Sequence, residues 1–139
     1  MIVDVKEMVA GRVATKIAKL VINGERVIVV NAEDAIIVGN KESILENFRS
    51  RVNASVKSNP HYGPKYARIP DRLFRRMVRN MLPTKKRTKE RLIKKLLVYN
   101  SFPTELRKEK AIVFEEYRFS GRRNHLKLKE IANLLGGRW

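Results

Sequence analysis

Cysteine is absent from the 139 residues. That excludes a disulfide framework, a thiolate metal site and a thiol nucleophile, and it suits an intracellular setting. Aliphatic runs reach only four residues, as at positions 27–30, whereas crossing a bilayer takes roughly 18. The opening MIVDVKEMVAGR has no basic segment followed by an apolar one, so no secretory signal is expected. These absences predict a soluble, unsecreted, cytoplasmic chain with no membrane partner. Also missing are G-x-x-x-x-G-K-[ST], G-x-S-x-G and H-E-x-x-H, the patterns that cradle a nucleotide phosphate, present a serine nucleophile or hold a catalytic zinc. Histidine occurs only as His61 and His125, each in a basic loop with no acidic residue close by in sequence, so neither has an orienting carboxylate or a metal-ligand spacing. Acidic residues number 14 against 31 Lys and Arg.

Positive charge is what the sequence has in excess, a net +17, and it is concentrated. Residues 57–95 carry 14 Lys and Arg against only Asp71 and Glu90, which is +12 of the total. Within that stretch Leu73, Phe74, Met77, Val78 and Met81 have the spacing of a helix's buried stripe, while Arg72, Arg75, Arg76 and Arg79 recur at i, i+3, i+4, i+7 on another side. Like charges at i,i+4 repel by a few tenths of a kcal/mol per pair. Asp71 alone cannot neutralise four guanidiniums; an anionic partner would. Arginine grips phosphate oxygens with two parallel bonds and stacks on bases, so nucleic acid outweighs a merely solvated face. Pro70 fits the first turn of this helix, where its missing N–H costs nothing, and Pro83 ends it.

Upstream of that helix, His61, Tyr62 and Tyr66 are flat side chains interleaved with Lys57, Lys65 and Arg68. Asn59-Pro60, Gly63-Pro64 and Ile69-Pro70 stiffen the segment and forbid a regular element between 58 and 69. The combination suits unpaired bases of folded RNA with phosphates beside them. For each tyrosine the alternative is packing under its own loop. Downstream, Lys85, Lys86 and Arg87 form a basic link, and a helix is expected to resume over 89–95, from Lys89, with Leu92, Ile93, Leu96 and Leu97 inward.

The remainder alternates strand and helix. Residues 2–5 form a short strand, Gly11 opens a helix with Val13, Ile17, Leu20 and Val21 on one face, and Asn23-Gly24 stops it. Arg12, Lys16 and Lys19 share the other face, where solvated surface and RNA contact weigh equally. The β-branched run at 27–30 reads as a strand covered on both faces in a parallel sheet. A strand at 35–38 leads through Gly39-Asn40 into a helix whose stripe is Ile44, Leu45, Phe48 and Val52, with Asn40 at its N-cap. Residues 97–99 are a last strand candidate and 111–119 are extended by composition. There Glu115 and Glu116 would point to opposite faces of a strand, a poor geometry for cooperating carboxylates. A basic loop with Arg122 and Arg123 precedes a helix marked by Leu128, Ile131, Ala132 and Leu135 and stopped by Gly136-Gly137. One α/β domain over 1–139 is expected, with a basic RNA-binding insertion at about 57–95.

An enzymatic alternative starts from the strand, the helix at Gly11, the second strand and the acidic pair Glu33-Asp34, an order that mimics a dinucleotide-binding unit. It has one glycine where that fingerprint needs three, so close backbone approach to a pyrophosphate is not provided. No catalytic residue, metal or cofactor is assigned. A basic protein binding duplex DNA remains the third class, although no helix-turn-helix, zinc-finger or basic-zipper pattern is present.

Several of these residues form an ordered series that resembles the universal large-subunit ribosomal protein family L13 in its archaeal-type form. They are Gly11-Arg12 with Ala14, Val29-Val30-Asn31-Ala32-Glu33, Gly39-Asn40, and Asn59-Pro60 with Gly63-Pro64. The series continues with Arg68 and Pro70, Val78-Arg79 with Met81-Leu82-Pro83, and Leu96 with Val98-Tyr99. The resemblance covers nearly the whole chain. It implies a three-layer α/β/α fold around a small, mostly parallel sheet of about four strands, with basic loop and helix extensions. It also implies a place in the large ribosomal subunit against 23S-type rRNA and neighbouring large-subunit proteins, a role early in subunit assembly, and neither catalysis nor a small-molecule substrate. Relatives commonly have glycine where this chain has Asn80, and Thr84 with the Lys85-Lys86-Arg87 run also differs from the family's basic stretch.

Overall fold

The computed structural model describes residues 1–59, 61–106 and 109–139. Pro60, half of the expected Asn59-Pro60 turn, lies outside the described residues. In chain order the elements are β1 (Ile2–Asp4), α1 (Ala10–Ile22), β2 (Val27–Val30), β3 (Ile36–Val38), α2 (Lys41–Asn53), α3 (Pro70–Asn80), α4 (Lys86–Ile93), β4 (Leu96–Val98), β5 (Ile112–Val113), β6 (His125–Lys127) and α5 (Leu128–Leu134). Strands β4, β2, β1 and β5 form, in that order, a sheet in which every pairing is parallel, and β3 and β6 make a separate antiparallel ribbon.

Strand periodicity decides what each face of the sheet meets. Val3 pairs with Val29, Val29 with Val98, and Val27 with Leu96. Of these, Val3, Val27, Val29 and Leu96 are fully buried in one cluster with Val13, Ile17 and Val21 of α1 and Leu73, Phe74 and Val78 of α3. The opposite face carries the row Ile2, Ile28, Leu97, buried at Ile2 but 46% exposed at Leu97 on the β4 edge. From β4 the chain returns past β2 and β1 to reach β5. Just after β4 the chain makes the short 3-10 turn Thr104–Leu106. The α/β architecture is therefore the expected three-layer one, with the deep core between the sheet and α1 and α3.

The helix limits follow local chemistry. Gly24 adopts φ +100° just past Asn23 and ends α1. Asn40 occupies the N-cap position of α2 without making a side-chain bond there. The N–H of Asp71 in the first turn of α3 is satisfied from a distance, by Oδ1 of Asn100 at 2.7 Å, which meets one of the donors a helix start leaves free.

Five expectations are corrected. Leu97, expected to face inward, is 46% exposed on β4, the edge strand of the sheet. Met77 is only half-buried, and Met81 is 40% exposed at the C-cap of α3 with its sulfur 3.6 Å from the Thr15 hydroxyl; α3 buries Leu73, Phe74 and Val78, a narrower stripe. Helix α4 starts at Lys86 rather than Lys89, because the link between the two helices needs only a few residues after Pro83. Glu115 and Glu116 lie in a 3-10 turn, Glu115–Tyr117, not in a strand. His125, assigned to a loop, opens β6 and pairs with Val38.

Two long-range contacts close the molecule. Gly136 turns α5 with φ +77°, and Gly137 donates to the carbonyl of Ala132 at 2.8 Å. A Cβ on Gly137 would overlap the carbonyl oxygen of Arg68, so only glycine lets the end of α5 lie on the chain leading into α3. At the other side Asp34, on the turn after β2, receives Lys127 Nζ and Lys129 Nζ, each at 3.2 Å. Burial by itself raises that carboxyl's pKa, but the two ammonium groups outweigh it and hold the pKa below its ordinary value.

Gly137→Ala is expected to cost about 1 to 3 kcal/mol in a denaturant titration. Gly11→Ala, where a Cβ meets nothing within 4 Å, should hold or slightly raise stability. A carboxyl with a depressed folded-state pKa contributes stability that is present above the unfolded pKa of about 3.9 and lost as pH falls through the folded value. Asp34→Asn should therefore lower Tm at neutral pH, and the gap from the parent protein should close as melts are run below about pH 4.

Candidate nucleic-acid interface

Helix α3 presents its arginines because its other side is committed to the core. Leu73, Phe74 and Val78 face α1 and β4, which leaves Arg72, Arg75, Arg76 and Arg79 along a cleft of about 540 Å³. Lys86 and Lys89 of α4 line the opposite wall and Lys65 of the preceding loop lines one end. Seven of the predicted residues thus converge. Glu90 is the single acidic group on the lining.

The four arginines do not play one role. Arg75 Nη2 donates to the carbonyl of Ile93 at 3.2 Å, tying α3 to the end of α4. Arg76 Nη1 donates to the carbonyl of Lys65 at 3.3 Å, and its guanidinium lies 4.1 Å from the centre of the Tyr66 ring. Tyr66 in turn meets Phe48 of α2 edge-on, centroids 6.2 Å apart. Tyr66 therefore packs beneath its loop, and Arg75 and Arg76 brace the cleft as well as charging it. Arg72 and Arg79 are exposed and make no hydrogen bond or ion pair with the protein among the described residues. They are the groups most available to phosphate.

The other predicted residues lie outside this cleft. Lys57, His61 and Tyr62 are exposed, Tyr62 at 71%. Asn59 Oδ1 accepts the His61 N–H at 2.9 Å. Arg68 is exposed beside Gly136, while Lys85 and Arg87 are exposed at the start of α4. Arg122 and Arg123 line two different depressions, together with Arg12, Lys41, Arg118 and His125. Of these, Arg12 had a signal in the basic stripe of α1. Lys41 and Arg118 had none, because only the fold brings them beside Arg122 and Arg123.

The dinucleotide alternative finds no support in the geometry. Asp34 is held by Lys127 and Lys129, and Glu33 Oε2 lies 3.4 Å from Trp139 Nε1. Among the described residues no group of three or more His, Cys, Asp or Glu could hold a metal ion, and no helix is long and apolar enough to cross a membrane.

A family model described as Ribosomal protein L13 matches residues 1–105. The chain belongs to the ribosomal protein L13 family. It is 35% identical to the large ribosomal subunit protein uL13 of Methanosphaera stadtmanae, over 99% of this chain and 98% of that one. Its identity to the uL13 protein of Aeropyrum pernix is 37%, over 97% and 88% of the two chains, and to that of Archaeoglobus fulgidus 34%, over 99% and 88%. Membership supports a structural role in the large ribosomal subunit, and the archaeal relatives agree with the archaeal-type motifs. Asn80 is the exposed last residue of α3 and has no positive φ.

The division among the arginines is open to direct measurement. Arg72→Gln with Arg79→Gln should leave thermal stability within about 0.5 kcal/mol. Arg76→Gln should cost about 1 kcal/mol, because the ring contact and the bond to the Lys65 carbonyl go together. Equal melting of the two variants would mean that Arg76 is not a brace.

Proposed function

We propose that this L13-family chain is a non-catalytic constituent of the large ribosomal subunit that binds 23S-type rRNA through the α3–α4 cleft and the loop at 57–69, and that it supports early subunit assembly beside neighbouring large-subunit proteins. The observation that carries the reading is the cleft itself: four arginines and three lysines line it with one acidic residue, on a chain whose family is ribosomal. A cleft of one charge sign raises the local concentration of a polyanion and steers its approach. Tyr62 and His61, exposed on the loop before α3, offer stacking surfaces to unpaired bases. A cytoplasmic, ribosome-bound location follows from the same reading.

In a lysate gradient the chain should sediment with the large subunit; recovery at the top of the gradient would sink the reading. On deproteinised large-subunit rRNA, Arg72→Gln with Arg79→Gln should weaken binding. It should also flatten the slope of log affinity against log salt by roughly 1.4 to 1.8, at about 0.7 to 0.9 for each lost phosphate contact.

A further inference from the structure

The two faces of the parallel sheet are covered unequally. One packs into the core with α1 and α3. The other is open at its β4 end, where Leu97 is 46% exposed and its cross-strand neighbour Ile28 is only half-buried. Farther along the same row Ile2 of β1 is 4% exposed, so the opening is local. It forms a depression of about 370 Å³ lined by Ile28 and Leu97 together with Arg26, Lys94 and Lys95. Parallel strands are normally buried on both faces, which makes an open apolar end on such a sheet a surface without its cover. The rim of the depression has one charge sign. Lys95 Nζ donates to the carbonyl of Gly24 at 2.8 Å, at the end of α1. Arg26 and Lys94 are exposed, and their side chains make no hydrogen bond or ion pair among the described residues. Glu25, next to Arg26 in sequence, is half-buried and off the lining.

Resting on the reading of this chain as a large-subunit constituent, we propose that the open β4 end of the sheet is a protein-docking site whose occupant is an acidic amphipathic helix of a neighbouring large-subunit protein. Helices are the elements that cover parallel sheets. A stripe of Leu, Ile or Phe on such a helix takes Leu97 and Ile28 out of water, and Asp or Glu at the edge of the stripe meets Arg26 and Lys94. An apolar centre inside a charged rim is the anatomy of a protein interface, and the opposite charges fix the register of the helix on the sheet. RNA fits this surface poorly. Two aliphatic side chains offer a base neither a ring to stack on nor a hydrogen bond, and phosphates laid on Arg26 and Lys94 leave Leu97 in water.

The absence of cysteine lets one probe be placed at a time. Lys94→Cys, on the rim, and Thr84→Cys, exposed just before α4, are each labelled with a photoactivated aryl azide, which inserts into protein and RNA alike. Each labelled chain replaces the parent in large subunits, which are irradiated, and the joined partner is identified by mass spectrometry or primer extension. The Lys94→Cys probe should join a protein, at a segment where Asp or Glu borders Leu, Ile or Phe at helical spacing, while Thr84→Cys joins rRNA. Adding Leu97→Asp or Arg26→Glu, both at exposed positions, should cut the Lys94→Cys product several-fold and leave the Thr84→Cys product unchanged. A Lys94→Cys product on rRNA, on a second copy of this chain or on a segment without acidic residues would overturn the docking site and leave the subunit role standing. So would a product indifferent to both added substitutions, or no product from Lys94→Cys at all. Absence of the unlabelled parent chain from large subunits would overturn the subunit role, and the docking site with it.

Discussion

Leu73, Phe74 and Val78 bury one side of α3 against α1 and β4, and the placement of the cationic side chains depends on that apolar contact. Each such side chain contributes about 1.5 to 3 kcal/mol when taken out of water. The like-charged pairs Arg72–Arg76 and Arg75–Arg79 on the other side cost about 0.2 to 0.5 kcal/mol each. The docking term exceeds the repulsion several-fold, so the helix can carry an unneutralised row of arginines and still sit in a fixed place. Asn100, reaching the Asp71 N–H from beyond β4, sets the start of the helix relative to the sheet.

Rigidity of the cleft comes from spending part of that row internally. Arg75 on the Ile93 carbonyl and Arg76 on Tyr66 and the Lys65 carbonyl connect α3 to α4 and to the loop before it. The chain through Tyr66 to Phe48 extends the brace to α2. The cationic lining is thus held by the same groups that charge it. Arg72 and Arg79 remain free on a surface whose shape does not depend on them.

The chain segments most remote from α3 in sequence complete its surroundings. Gly137 allows the end of α5 to lie on the Arg68 carbonyl, which steadies the last residues before Pro70. The β3–β6 ribbon and the lysines that clamp Asp34 place residues 119–125 beside the starts of α1 and α2. Both basic surfaces therefore rest on apolar or backbone contacts made elsewhere, in keeping with a protein whose family role is structural.

Periodicity and punctuation made much of the molecule legible from its residues. The β-branched run at 27–30, the stripes of α1 and α2, the proline-broken loop, the Arg72 to Arg79 face and the stop at Gly136-Gly137 all express interactions within a few residues, and local spacing encodes those. Tertiary structure alone decided the rest. It set the burial of Met77 and Met81, because the width of a buried stripe depends on what α1 presents to it. It also set the division of labour between Arg72 and Arg76, because a carbonyl and a ring from the preceding loop have no signature in helical spacing. The meeting of Arg12, Lys41 and Arg122 was equally beyond sequence, since Coulomb and packing forces act on distances in space and those three residues are neighbours only once the sheet and the ribbon have formed.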